Sequence, residues 1–334
     1  MEQSEFVSRI PGMQFPIVSC LFRRRTWPVG RMKSHAAITV ELLWVMVLWG
    51  GNNAAMKYQL RFWPPVFTAS IRFLCAGALL MLVMRWTQWL GKPADLTPVQ
   101  RRELWTRAGA PLACYITVFV WALHLTTPSS VALFMGTSPV WALIWEERPN
   151  RESMHRFIAA LLALLGVAVL FLPSLQMNTS TWKGNALALL ASVLWTHYSR
   201  ESRRFSASIS GLELTGQSFW RAGALLLPLA GAELSWRGCT HDSLALGLMA
   251  YSVILSGLVA FGLWNDALRA WPTSRAFLFG NLIPVTTMLF SHYFLGEPMT
   301  SQFWLALALI VGAVVLGQWQ PRSSGPGAGT GNSV

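Results

Sequence analysis

Ala76-Gly77-Ala78-Leu79-Leu80 recurs 146 residues later as Ala222-Gly223-Ala224-Leu225-Leu226. Such a match is weak by itself, because Ala, Gly and Leu are common in membrane helices. It is one of five, in order, at nearly constant offset. Val47-Leu48-Trp49 returns as Val193-Leu194-Trp195, and Ala122-Leu123 precedes Pro139 as Ala267-Leu268 precedes Pro284. Gly166-Val167-Ala168-Val169-Leu170 is echoed by Gly312-Ala313-Val314-Val315-Leu316. Offsets of 146, 146, 145, 145 and 146 identify an internal repeat.

The surrounding composition says what is repeated. Of the 334 residues, 53% are hydrophobic and 12% charged, against about 25% charged in a soluble domain. Apolar stretches recur at about 38–56, 66–84, 108–125, 130–145, 157–172, 184–198, 212–229, 244–264, 276–295 and 303–319. At 1.5 Å per helical residue most are long enough for a hydrocarbon core of about 30 Å; the fourth to sixth are short. The expectation is an all-α polytopic membrane protein with ten transmembrane helices. Each repeat would hold five spans. Because five is odd, the second repeat enters from the opposite face, and inverted repeats are a hallmark of secondary transporters. Residues 38–172 and 184–319 should then share a fold, with 35–173 the first repeat, 174–320 the second, 1–34 a basic cytoplasmic tail and 321–334 a disordered Gly/Ser-rich one.

The net charge of +12 does not indicate a nucleic-acid partner, since the basic residues lie between apolar runs rather than on a polar domain. Of the 26 Lys and Arg, 20 fall on one side of the ten spans and four (Lys57, Arg61, Lys183, Arg237) on the other, with Arg72 and Arg221 inside spans. By the positive-inside rule both termini are cytoplasmic. Cys20, Cys75, Cys114 and Cys239 have no metal-like spacing, and neither metal nor cofactor is expected.

Several residues stand where a solute pathway would run. Pro139 and Pro284 fall about nine residues into their spans, and a proline there frees a backbone carbonyl, tolerated where the chain lines a cavity. Thr137, Ser138 and Asn281 add polar groups beside them. Trp49 and Trp195 lie at mid-depth, with Asn52 and Asn53 one turn beyond Trp49. A buried indole offers flat apolar area and one donor. Ordinary packing explains these residues as readily. Arg72 reads as a structural anchor rather than a solute contact. His124, His197, His292 and Asp266 are the candidate carriers if protons are the coupling ion, although no carboxylate lies convincingly at mid-membrane.

Trp49-Gly50-Gly51-Asn52-Asn53 with Lys57, then Pro64-Pro65 and Arg72-Phe73, resembles the start of the first repeat in the drug/metabolite transporter superfamily, EamA-type branch. Gly262-Leu263-Trp264-Asn265 with Ala267-Leu268, then Asn281-Leu282-Ile283-Pro284 and Leu295-Gly296-Glu297-Pro298, is similar to the end of its second. The likeness covers about residues 38–319. It implies a bacterial inner-membrane exporter of small metabolites, such as amino acids or related amphipathic or cationic compounds, working by alternating access without ATP. Glu297 would be structural or gating. The sequence departs from the pattern at Trp145-Glu146-Glu147-Arg148-Pro149-Asn150-Arg151, where the first repeat should carry its own Leu-Gly-Glu turn. Either the fourth helix ends early there or the stretch is locally damaged. The rival readings are a scaffold or lost-function paralogue without transport, and a membrane enzyme. The latter lacks HExxH, GxSxG, P-loop and paired intramembrane carboxylates.

The charge count makes a topological prediction. An impermeant thiol reagent applied to intact cells should label Cys239 and spare Cys20, with reporter fusions at Gly91, Ser206 and Val334 cytoplasmic; the reverse labelling would overturn the orientation.

Overall fold

The computed structural model describes residues 34–86, 93–126, 131, 134–146, 154–175, 182–295 and 301–318, and the described residues from His35 onward belong to one compact unit. Among the described residues the regular structure is helical. The helices are α1 (His35–Gln59), α2 (Pro65–Trp86), α3 (Pro98–Leu125), α4 (Ser138–Glu146), α5 (Met154–Leu175), α6 (Trp182–Arg204), α7 (Gly211–Arg237), α8 (Ser243–Ala270), α9 (Thr273–Gly280), α10 (Leu282–Leu295) and α11 (Ser301–Gln318). Three of them, α2, α3 and α8, are by themselves long and apolar enough to cross a membrane. In α5 and α11 the described apolar stretches, Met154–Val169 and Trp304–Gly317, are shorter, while α6 carries more polar residues. These include Ser192, Thr196, Ser199, Glu201 and Ser202, all buried against protein.

Local chemistry sets the helix ends. Pro98 opens α3 behind a capping box, with the Thr97 hydroxyl accepting from Gln100 N at 3.2 Å and Gln100 Oε1 accepting from Thr97 N at 2.9 Å. Asp242 caps α8 by accepting from Ala245 N at 2.7 Å. Gly238, at φ 65°, closes α7 in a conformation that costs glycine little. Two helices borrow their caps. Glu233 of α7 accepts from Val66 N at 2.7 Å and Phe67 N at 3.1 Å, and Glu146 of α4 accepts from Thr273 N at 3.1 Å and Ser274 N at 2.9 Å. A carboxylate at a helix N-terminus meets orphan N–H groups and the positive end of the dipole at once. Glu146 therefore ties α4 to α9. The rest of the anomalous polar stretch, at 147–151, lies outside the described residues, as do Glu297 and both tails.

Packing pairs α2 with α7, α5 with α11, α3 with α6, and α1 with α8 and α10; α4 meets α6 and α9. Exchanging the two halves of the chain maps these pairs onto one another. Side chains repeat the pattern. Phe73 and Phe219, 146 apart, stack at 4.4 Å between ring centroids. A Cβ added to Gly77 would lie 2.9 Å from Trp220 Cα, and one added to Gly223 would lie 2.8 Å from Leu74 N. Leu74 and Trp220 are also 146 apart, so each glycine receives the backbone opposite the other. Ser70 Oγ adds a bond to Gly223 O at 3.0 Å. Large apolar side chains point outward, among them Leu161 at 60% exposure and Val315 at 67%, a surface suited to lipid rather than water.

The α2–α7 contact yields a stability prediction. Gly77→Ala and Gly223→Ala should each lower stability by about 1–3 kcal/mol through overpacking. Gly231→Ala, where no atom lies within 4 Å of the new Cβ, should hold or gain. Thermal unfolding of the purified protein in detergent reads both.

Candidate functional site: a central cavity

A widened helical stretch in α8 holds two residues of the site. π-helical stretches occur in both halves, Leu104–Gly109 in α3 and Ser252–Ala260 in α8, and overlap in part in the register of the repeat. Such turns are rare and frequent at functional sites. In α8 two carbonyls of this stretch accept side-chain donors: Ser252 O from Arg72 Nε at 3.2 Å, and Ser256 O from Trp49 Nε1 at 3.3 Å. Arg72 Nη2 also donates to Ser256 Oγ at 3.1 Å.

Above these contacts lies a cavity of about 290 Å³. Trp49, Asn52, Asn53, Ser138, Pro139, Trp195, Asn281 and Pro284 all line it. Trp49 and Trp195 approach to 5.5 Å between ring centroids. Trp264 and Phe261 complete an aromatic box, 5.4 Å and 5.0 Å from Trp49, and Phe277 stands 5.2 Å from Trp264. Tyr115 packs on Trp195 at 5.0 Å. Edge-to-face and offset arrangements of this kind hold aromatic walls rigid.

Two expectations need correction. Thr137 is absent from the lining. Its hydroxyl donates to Phe134 O at 2.6 Å, meets Ser192 Oγ at 2.9 Å and accepts from Trp141 Nε1 at 3.0 Å, so it braces α4 against α6. The prolines do line the cavity, but they do not kink continuous helices. Turns at Gly136-Thr137 and Asn281 break both spans, leaving Pro139 second in α4 and Pro284 third in α10. In a first turn the missing N–H has no intrahelical partner to lose.

Arg72 ties α2 to α8 through Ser252 and Ser256, in keeping with the structural role expected of it. It is 4% exposed and lines the cavity, where it is the one charged residue among those described. Arg221 lies elsewhere, bonded to Gln217 and 4.3 Å over the Trp220 ring. The candidate proton carriers stand outside the lining. His124 Nε2 meets Arg237 Nη1 at 3.3 Å, Asp266 pairs with Arg269 at 3.6 Å, and His197 and His292 are exposed.

Sequence reasoning missed Ser252, Ser256, Phe261, Phe277 and Tyr115. Ser252 and Ser256, spaced i,i+4 in an apolar span, were a readable polar stripe. The aromatic residues carried no such signal, because an aromatic in a membrane helix is usually packing. Polar atoms without partners among the described residues mark the wall as unfinished: Asn52 Oδ1, Ser138 Oγ, Trp264 Nε1 and both side-chain heteroatoms of Asn281 are buried and unbonded. A buried polar group in that state is destabilising, and such groups call for a functional explanation.

Comparison with known proteins follows the same division of the chain. The model of the EamA-like transporter family matches residues 39–172 and again 182–317. An uncharacterized transporter of Archaeoglobus fulgidus is 24% identical over 79% of this chain and 90% of its own length. The uncharacterized inner membrane transporter YedA of Escherichia coli K12 is 24% identical, over 81% of this chain and 87% of its own. A protein of Salmonella typhimurium named "Probable amino-acid metabolite efflux pump" is likewise 24% identical, over 82% and 92%. One crystal structure, at 20% identity, superposes with a TM-score of 0.67 over 85% of this chain and 98% of that one, which shows a shared fold.

Unbonded and bonded polar groups near the cavity predict opposite effects on stability. Asn281→Leu should keep or raise the unfolding temperature, because it removes a buried unpaired amide. Thr137→Val should lower stability by about 1–2 kcal/mol through its lost bonds. Thermal unfolding in detergent checks both.

Proposed function

From the premise that the chain belongs to the EamA-like transporter family, we propose that it is a secondary-active exporter of small metabolites. The reading sets ten spans as two inverted five-helix repeats in a bacterial inner membrane, with both termini cytoplasmic. The exchange of packing partners between the halves supports it, as do the matched contacts of Phe73 with Phe219 and of Gly77 and Gly223 with the opposite backbone.

The observation that carries the reading is the cavity of about 290 Å³, walled by repeat-equivalent residues from both halves. Transporters of this architecture place the solute at the repeat interface and move one half against the other around it. At roughly 30 Å³ for each water-sized group, the space suits a solute of on the order of ten non-hydrogen atoms. Its aromatic walls fit a flat, amphipathic body. Amino acids or related compounds are the proposed substrates, in line with the printed name of the Salmonella relative, and a proton gradient is the proposed driving force.

Cells overexpressing the protein should tolerate toxic amino-acid analogues better than cells without it. Trp49→Ala and Asn281→Ala should each reduce that export by about tenfold while their membrane abundance stays near normal. Poor accumulation of both variants would make these residues packing elements and move the site elsewhere.

A further inference from the structure

We propose that Arg72 recognises the transported solute directly, and that the cavity takes a carboxylate borne on a flat apolar body and rejects cations. The biological use of this site rests on the transport reading above; its chemistry does not.

A guanidinium at 4% exposure is costly to desolvate unless it is paired. Among the described residues no carboxylate pairs with Arg72, and the groups it does meet are neutral: Ser252 O, Ser256 Oγ and the Phe73 ring at 5.6 Å. Those hydrogen bonds use two of its five N–H donors. The other three have no protein acceptor among the described residues. An incoming carboxylate supplies the missing charge and matches the planar fork of the guanidinium.

The formal charges of the rest of the wall agree, while its unpartnered polar atoms include the acceptors Asn52 Oδ1 and Asn281 Oδ1 as well as donors. No described carboxylate or histidine lines the cavity, so an ammonium would find no counter-charge there and would face Arg72. Asn281 Nδ2 and Trp264 Nε1 add buried donors without partners, both on residues that line the cavity. The rings of Trp49, Trp195, Trp264 and Phe261 provide the apolar face for the body of the solute. A lone internal tie between α2 and α8 would leave these unused donors without explanation. The repeat supports a dedicated role as well: the position 146 residues after Arg72 is Ser218, so this charge is not part of the duplicated scaffold.

The inference is tested on purified full-length protein in detergent, by isothermal titration calorimetry with solutes that share one phenyl body. Phenylacetate, its neutral amide, phenethylamine and phenylalanine form the series. Phenylacetate should bind about tenfold or more tighter than the amide, the amine should bind weakest, and phenylalanine should bind more tightly than phenethylamine through its carboxylate. In Arg72→Gln the gap between acid and amide should close while the amide keeps its affinity; Arg72→Lys should restore part of the gap. A purely structural Arg72 would instead weaken acid and amide alike, which overturns the proposal. So does an amine that equals or exceeds the acid, or a gap that survives Arg72→Gln. Should Arg72→Gln fail to fold, the wild-type series decides alone, with equal affinity for acid and amide overturning the idea. Flux into proteoliposomes separates the two readings. Selective acid binding without flux would refute transport and support the anion site. Flux of the amine but not the acid would refute the anion site and leave transport standing.

Discussion

The close approach of α2 and α7 is the constraint on which the other contacts depend. In a membrane, helices gain little from hiding apolar surface from one another, since lipid is as apolar as leucine, and small residues that let backbones meet become decisive. Gly77 and Gly223 do this reciprocally, each against the main chain facing it. Their contact brings Phe73 onto Phe219. It also sets Arg72, one residue earlier, against the widened turns of α8. A side chain at either glycine would push the halves apart and disturb that alignment.

Irregular helices flank the cavity and hold two of its residues. A continuous helix uses its own N–H and C=O groups and offers a neighbour only side chains. The π-helical stretch in α8 offers carbonyls to Arg72 and Trp49, and the break at Asn281 parts α9 from α10 beside the same space. Irregular backbone within a membrane is tolerated where it is enclosed by protein or lines a cavity; Ser252 and Ser256 are buried, and Asn281 lines the cavity. Glu146 and Glu233 serve the same economy at helix ends, each satisfying N–H groups of a helix other than its own.

Symmetry and its breach have different physical roles. The duplicated residues make the scaffold: glycines at the crossing, paired phenylalanines, paired tryptophans, prolines that begin new helical segments. The unmatched residues give it chemistry. Arg72 faces a serine in the register of the repeat, and Glu146 faces Ser291. A charge on one half alone makes the cavity electrostatically lopsided, which a perfect duplication would not.

Residue order alone determined the helical class, the duplication and the membrane setting, because apolar length, charge placement and a constant offset are properties of the linear chain. It also marked Trp49, Asn52, Asn53, Ser138, Pro139, Trp195, Asn281 and Pro284 as residues to watch, since depth within a span follows from counting. Only the tertiary structure decided which way each side chain meets its neighbours. Thr137 and Ser138 are adjacent, yet one braces α4 against α6 and the other lines the cavity, because the turn at Gly136-Thr137 ends just where α4 begins. Arg72 looked like an edge anchor by its distance from the span end, and became a buried cation only because α8 covers it. The aromatic box was unreadable for a related reason. Trp264 and Phe261 reach Trp49 across more than 200 residues of chain, and such a contact depends on how helices cross, which no local spacing encodes.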